Sequence, residues 1–324
     1  MTVSRRTFVL GALAAPFASP PVLLAQTTPG NILRIVVPFP PGGTVDPIAR
    51  LVLPGLQQRL GATVVVDNRT GASGSIGTAY VAKSPPDGTH WLFAYDTHAV
   101  NPFLQTLPFD TEKDLEPVML IGTTPNVLCA HPSRPYQSLA DVIAASKQKP
   151  NSLTYASGGN GGVSHLSMVR LCRRAGIEMR HVPYRGAGPA MADLLAGHVD
   201  FMIGSAALVT PHVRANRIRP IFQTGRERVA SLPTVPTAIE SGIADFEASS
   251  WWGVFTAAGT PKALIDRFAA ALTECLREEA TAKFLVDSLQ ITMLLADPDA
   301  TRRFVRAQMT QWSAVVRENN IKPD

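Results

Sequence analysis

The sequence predicts an α/β protein of two lobes, and three observations carry that expectation. Apolar runs of strand length alternate with amphipathic helical patterns from about residue 32 to residue 225. Four of the strand candidates end in glycine-rich turns that lead directly into helical patterns. No Gly/Ser-rich linker divides the chain, which favours two lobes that share crossing strands over two beads on a string. With 324 residues the chain is long enough for about two domains.

Strands are expected at "ILRIVV" (32–37), "ATVVVD" (62–67), "THWLFAY" (89–95), "NVLCAH" (126–131), "SLTYAS" (152–157), "MRHVPY" (179–184), "VDFMIG" (199–204) and "RPIFQT" (219–224). Runs of Val, Ile and Leu separated by helices predict parallel sheets covered on both faces. "SLADVIAASKQ" (138–148) reads as a helix opened by a capping box of Ser138 and Asp141. "PAMADLLAG" (189–197) reads as one with Pro189 near its start and Gly197 as its stop. The tail brings a strand and turn at "SSWWGVFTAAGTP" (249–261), with Trp251 and Trp252 expected in the core. Two amphipathic helices follow, one opened at Thr260-Pro261 and one at Asp297-Pro298 that runs to about Asn319. These helices are expected to return to the first lobe. The expected organisation is residues 31–125 plus 225–324 for that lobe and 126–224 for the other.

Residues 1–25 read as a targeting segment. Arg5 and Arg6 precede a short apolar stretch, "FVLGALAAP", and a Pro-rich region ending in "LLAQ". The apolar stretch is too short to span a bilayer. The paired arginines with Phe8 resemble a bacterial twin-arginine export signal, with cleavage expected near Ala25, although Leu23 departs from the small-residue rule. The whole chain carries a net charge of +5, and loss of Arg5 and Arg6 leaves about +3. That balance is too mild to argue for nucleic acid. Cys129, Cys172 and Cys275 are widely spaced and form no CxxC, so buried free thiols are expected. Seven histidines stand singly with no HxxxH spacing, and neither a metal nor a cofactor is expected.

The glycine-rich turns are "PFPPGGTVD" (38–46), "NRTGASGSIG" (68–77), "SGGNGGVSHL" (157–166) and "YRGAGPAM" (184–191). Ligands of open α/β sheets bind beyond the carboxyl ends of the strands, where these turns accumulate. Each turn delivers backbone N–H groups and the positive end of a helix to a cavity, together with the hydroxyls of Thr44, Ser73, Ser75, Ser157 and Ser164. Templates for chemistry fail on inspection. "GASGS" (71–75) lacks the final glycine of a nucleophile elbow. The first turn has no phosphate-binding lysine, and "GAGPAM" breaks the dinucleotide fingerprint. Asp46, in the first turn of its helix, is expected to cap N–H groups and to pair with Arg50 four residues on.

Several segments carry a family likeness in order along the chain. "RIVVPFPPGGTVDPIAR", "VVVDNRTGASGSIGTAYVAKSPPDGTHWLF", "YASGGNGGVSHL" and "VPYRGAGPAMADLLAGHVDFM" strongly resemble the Bug (TctC-like) proteins, the periplasmic solute-binding components of tripartite tricarboxylate transporters. The resemblance covers nearly the whole chain after the targeting segment. It implies a type II periplasmic-binding-protein fold whose two doubly wound lobes close on a small organic carboxylate. By motif, the first-lobe contacts it implies are Phe39, Pro41, Gly42, Gly43, Thr44, Asp46, Thr97 and His98. Those of the second lobe are Ser157, Gly158, Gly159, Asn160, Gly161, Gly162, Ser164, Tyr184, Arg185, Gly186 and Ser205. It implies membrane subunits of the transporter as partners, no enzyme activity and, by default, a monomer. The chain departs from the family pattern where "GASGS" replaces GAGGN, and where Gly204-Ser205 stand in place of an Asp. The second departure implies a ligand without an amino group. An exported hydrolase using Ser164 or Ser73, and a binding protein serving an ABC importer or sensor kinase, are the rival readings.

Overall fold

The computed structural model describes residues 32–184 and 186–321. The expected targeting segment and Arg185 lie outside the described residues.

The first five strands in chain order are β1 (Ile32–Val37), β2 (Thr63–Asn68), β3 (His90–Tyr95), β4 (Leu115–Ala130) and β5 (Thr154–Ser157). Then come β6 (Arg180–Pro183), β7 (Phe201–Ser205), β8 (Arg219–Gln223), β9 (Ser249–Ala257) and β10 (Thr292–Ala296). The helices of the first half are α1 (Val45–Leu60), α2 (Ser75–Ala82), α3 (Asn101–Leu104), α4 (Leu139–Gln148) and α5 (Val163–Ala175). The rest are α6 (Ala187–Ala196), α7 (Ala206–Arg214), α8 (Lys262–Arg277), α9 (Glu279–Lys283) and α10 (Pro298–Glu318).

One sheet runs β2-β1-β3-β9-β4 with β10 beside β4, and the other runs β4-β7-β5-β6 with β8 beside β4. Strand β4 is shared. Its residues 115–125 pair with β9 and its residues 126–130 pair with β7 and β8. Neither sheet is wholly parallel, which corrects the sequence expectation. β9 lies antiparallel between β3 and β4, and β4 lies antiparallel to β7. Two strand segments were not legible in the sequence, residues 115–125 and β10. Pro117 and Pro125 break the strand pattern of the first, and the register shifts beside Pro117 and again before Gly122 where the ladder absorbs this.

Each sheet buries its own core. In the first, Trp91 of β3 stacks on Phe268 of α8 at 3.8 Å between ring centroids, over Ile35, Ile48 and Leu272. In the second, Leu166, Phe201 and Ile203 surround Trp312 of α10. Trp251 and Trp252 are fully buried, as the sequence predicts. The last helix does more than return to the first lobe. Val305, near its start, packs with Trp251 and Phe255, while Trp312 and Val316 pack in the second core. The amphipathic face of α10 thus spans both halves. The capping box of α4 is present, and α10 is capped by Asp297, whose Oδ1 accepts from the Ala300 N–H at 2.7 Å. Gly197 ends α6 in the left-handed region at φ 77°.

Candidate functional site

Topology brings six strand ends together. β1, β2 and β3 are mutually parallel, and β4 runs in their direction because β9 is antiparallel to both β3 and β4. In the second sheet β7 opposes β4, while β5 and β6 run with β7. The carboxyl ends of β1–β3 and of β5–β7 therefore face each other across the point where β4 changes sheets, with Ser205 opposite Asn126. All the predicted turns lie at these ends.

The first turn is built around one carboxylate. Asp46 Oδ2 accepts from the Gly42 N–H at 3.3 Å and from Arg50 Nε at 2.9 Å, and Oδ1 accepts from Asn68 Nδ2 at 2.9 Å. Asn68 Nδ2 also donates to Phe39 O at 3.1 Å, so the end of β2 is tied to the end of β1. Burial alone would raise the Asp46 pKa, but the hydrogen bonds from Arg50, Asn68 and Gly42 outweigh it and hold the carboxyl below its ordinary value. Asp46 is a brace with both oxygens filled, as its helical position predicts. Pro41, Gly42 and Gly43 are exposed and Thr44 is half-buried; Thr44 makes no side-chain cap for α1. Phe39 is half-buried, edge-on to Tyr95 at 6.1 Å.

The second turn is held from the segment after β3. Thr97 Oγ1 and Asn101 Nδ2 both donate to Ser73 O, at 2.9 and 3.0 Å, and Gln105 Nε2 donates to Ala72 O at 3.1 Å. These bonds stabilise Ala72 and Ser73 in the left-handed region, at φ 46° and 52°. Thr97 thereby spends its hydroxyl proton on the protein and has only lone pairs left to offer. His98 is turned inward, its ring 4.4 Å from that of Phe255, and burial pushes its pKa down to about 4. At 5% exposure the ring is a packing group.

In the third turn Ser157 is fully buried behind the loop that it precedes. Its Oγ donates to Gly159 O at 3.0 Å, accepts from the Gly159 N–H at 3.3 Å and lies 2.7 Å from His181 Nε2. The Gly161 N–H donates to His165 Nδ1 at 3.1 Å. Gly161 has to be glycine: a Cβ there would sit 2.1 Å from Leu104 Cδ1 of α3, and its φ is 73°. Gly158, Asn160, Gly162 and Ser164 are half-buried at the start of α5. In the fourth turn Tyr184 sends its hydroxyl back to Asp193 Oδ2 at 2.5 Å, and the exposed Gly186 donates to Gly158 O at 3.0 Å. Ser205 is half-buried at the start of α7.

The side chains of Asp46, Thr97, Ser157 and Tyr184 are thus hydrogen-bonded within the protein, and the His98 ring packs on Phe255. The sequence reading missed Asn68, Asn101, Gln105 and His181. Each acts on a residue 24 or more positions away, or 22 for the Asn68–Asp46 bond, so no local signal marked them. Among the described residues no cluster of His, Cys, Asp and Glu is placed to hold a metal. Ser157 and His181 form a Ser–His pair, yet this serine cannot attack a substrate. It is buried, and its oxygen already serves both backbone groups of Gly159.

Two α/β sheets joined through the shared strand β4, with helix starts of both at facing strand ends, define a two-lobed protein of the periplasmic-binding type. The family model described as "Tripartite tricarboxylate transporter family receptor" (TctC) matches residues 48–321, and the chain belongs to that family. Protein BugT of Bordetella pertussis is 33% identical over 325 residues, covering 99% of this chain and 99% of its own length. A Rhodopseudomonas palustris protein solved with adipate superposes with a TM-score of 0.82 at 32% identity, over 91% of this chain and 99% of that one. MatC of the same organism, solved with bound malate, gives a TM-score of 0.77 at 28% identity, over 89% and 99%. The family consists of solute receptors, not enzymes, and the hydrolase reading is set aside.

Proposed function

We propose that this chain captures a small organic carboxylate between its lobes in the periplasm and delivers it to the membrane subunits of a tripartite tricarboxylate transporter. One observation carries the reading. Helices α1, α2, α5, α6 and α7 all start at the facing strand ends, and none has a side-chain cap on its N-terminus. Helices α4 and α10, which start at the far ends of the sheets, are capped by Ser138 and Asp297, while α8, which also starts at a far end after β9, has no side-chain cap. An uncapped start presents free N–H donors and about half a positive charge, and a carboxylate satisfies both. The adipate and malate bound by relatives are ligands of this chemistry. The lobes taken to close are 31–125 with 225–324 and 126–224, and residues 1–25 are taken as the removed export signal.

The ligand is expected to lack an amino group. Asp46 has both oxygens filled, Asp96 is buried, and β7 ends in Gly204-Ser205, so no carboxylate among these residues is offered to an ammonium.

The test is a thermal-shift and calorimetry screen of mono-, di- and tricarboxylates, aromatic acids and amino acids, with stabilisation rising with ligand concentration. Gly43→Val is the decisive variant. The added Cβ would meet only Pro40 O at 3.5 Å, so the fold tolerates it, while the branched side chain enters the cleft. Affinity is expected to fall by more than about tenfold with little change in melting temperature. A screen in which no carboxylate stabilises the protein overturns the reading, and tight binding of aspartate or glutamate overturns the absence of an amino group.

A further inference from the structure

The second-lobe loop, residues 158–162, carries no cap of its own, yet a stack of three rings stands behind it. Tyr155 and His181 are neighbours across β5 and β6, with ring centroids 4.9 Å apart and planes 23° apart. His165, from the first turn of α5, lies on the other face of His181 at 3.9 Å and 8°. Each imidazole is connected to one point of the loop. His181 Nε2 meets Ser157 Oγ at 2.7 Å, and that oxygen is bonded to both the C=O and the N–H of Gly159. His165 Nδ1 accepts the Gly161 N–H at 3.1 Å.

Ser157 has one hydroxyl proton for two neighbours, Gly159 O and His181 Nε2. With that proton on Gly159 O, Ser157 Oγ accepts from the Gly159 N–H and from a proton on His181 Nε2, the tautomer adopted here. His165 accepts at Nδ1, so it must be neutral there. Burial, and then the adjacent His181 ring, push its pKa down to about 3, in keeping with that role. On its other side Gly161 abuts Leu104 of α3, so the loop is held between the imidazole pair and the first lobe.

We propose that His181 and His165 are positioning residues for the ligand loop, His181 through Ser157 onto Gly159 and His165 directly onto Gly161. Together they fix the direction in which the loop presents its remaining N–H groups to a carboxylate. The proposal rests on the receptor reading above, because only a ligand at the loop gives that direction a function. It adds a specificity element that touches no ligand. An oxyanion binds strongly when its donors are already aimed before it arrives, and weakly when it must order them itself.

The experiment compares His181→Phe with His181→Gln. Phenylalanine keeps the stack between Tyr155 and His165 but cannot donate to Ser157, whereas glutamine places an N–H donor near the position of Nε2. Amide hydrogen exchange, followed by NMR in the ligand-free protein, reads the loop directly. Exchange at Gly159 is expected to be at least about tenfold faster in His181→Phe and close to wild type in His181→Gln, with core amides unchanged. Affinity for adipate or malate is expected to fall by about tenfold in the first variant and to recover in the second. Should His181→Phe fail to fold, His165→Leu and His165→Asn ask the same of Gly161, the asparagine oxygen standing in for Nδ1. Unchanged exchange at both glycines overturns the positioning role, whether or not a ligand has been found. A wild-type protein that binds no carboxylate overturns the receptor reading and leaves the exchange measurement to decide this one.

Discussion

Asp46 shows how a single carboxylate can brace a glycine-rich turn. Its oxygens tie Gly42 of the turn, Arg50 of α1 and Asn68 of β2 to one point. Its folded pKa lies below the ordinary 3.8, so ionised Asp46 stabilises the native state. That contribution is fully present above pH 3.8 and is lost as pH falls through the lower folded value. Asp46→Ala is expected to cost about 1 kcal/mol at pH 7, because Gly42, Arg50 and Asn68 lose their common acceptor. The cost should shrink below pH 3.8, where the wild-type carboxyl is itself protonating. Chemical denaturation of both proteins from pH 3 to pH 7 checks this, and a gap that widens at low pH would contradict it. His165 and His181 follow the same logic: polar side chains behind a loop decide what its backbone can do.

At the scale of elements, the helix starts differ in how they are completed. Ser138 accepts from the Asp141 N–H and Asp141 reaches back to the Ser138 N–H, which completes the start of α4. Ser138→Ala is expected to lower stability by about 1 kcal/mol and to leave carboxylate affinity unchanged. Denaturation midpoints and calorimetry on the same preparation measure both. A loss of affinity would show that α4 communicates with the cleft, contrary to its position at the far end of the second sheet. α1 and α5 have no such cap. Strand β4 is the other decisive element, since one run of 16 residues belongs to both sheets.

Across the whole molecule, the crossing point between the sheets is polar and buried. Asn126 N–H donates to Thr224 Oγ1 at 2.9 Å, Thr224 N–H donates to Asn126 O at 2.8 Å, and Asn126 Nδ2 reaches Ser250 Oγ at 3.4 Å. Asp96, 2% exposed at the end of β3, is hydrogen-bonded to Ser250 of β9. Burial pushes its carboxyl up to about 7, against the opposing bonds from Ser250 and the Thr97 N–H. A raised acid pKa means that the native state prefers the protonated form. The stability this gives is complete below 3.8 and is lost as pH rises through about 7. Asp96→Asn should therefore gain on the wild type between pH 5 and pH 8, by on the order of a few kcal/mol, and the two should converge near pH 4. Melting temperatures measured across that range decide it. An advantage that is constant with pH would mean that Asp96 does not change charge there.

The local physics of the chain fixed much of this in advance. β1 falls where "ILRIVV" predicts it, α4 where Ser138 and Asp141 predict it, and Gly197 ends α6. The glycine-rich turns stand at the strand ends because backbone shape and helix starts depend on near neighbours in sequence. Pairing does not. The course of β4 through both sheets, the antiparallel place of β9 and the two-core span of α10 rest on contacts between distant segments. The same is true of Asn68 against Asp46 and of His181 against Ser157. Residue types offered the hydroxyl of Ser157 to a ligand, and the family likeness offered Thr97 and Tyr184. Only the folded chain places Ser73 O, Gly159 O and Asp193 beside them, because which acceptor a hydroxyl can reach is decided by tertiary structure.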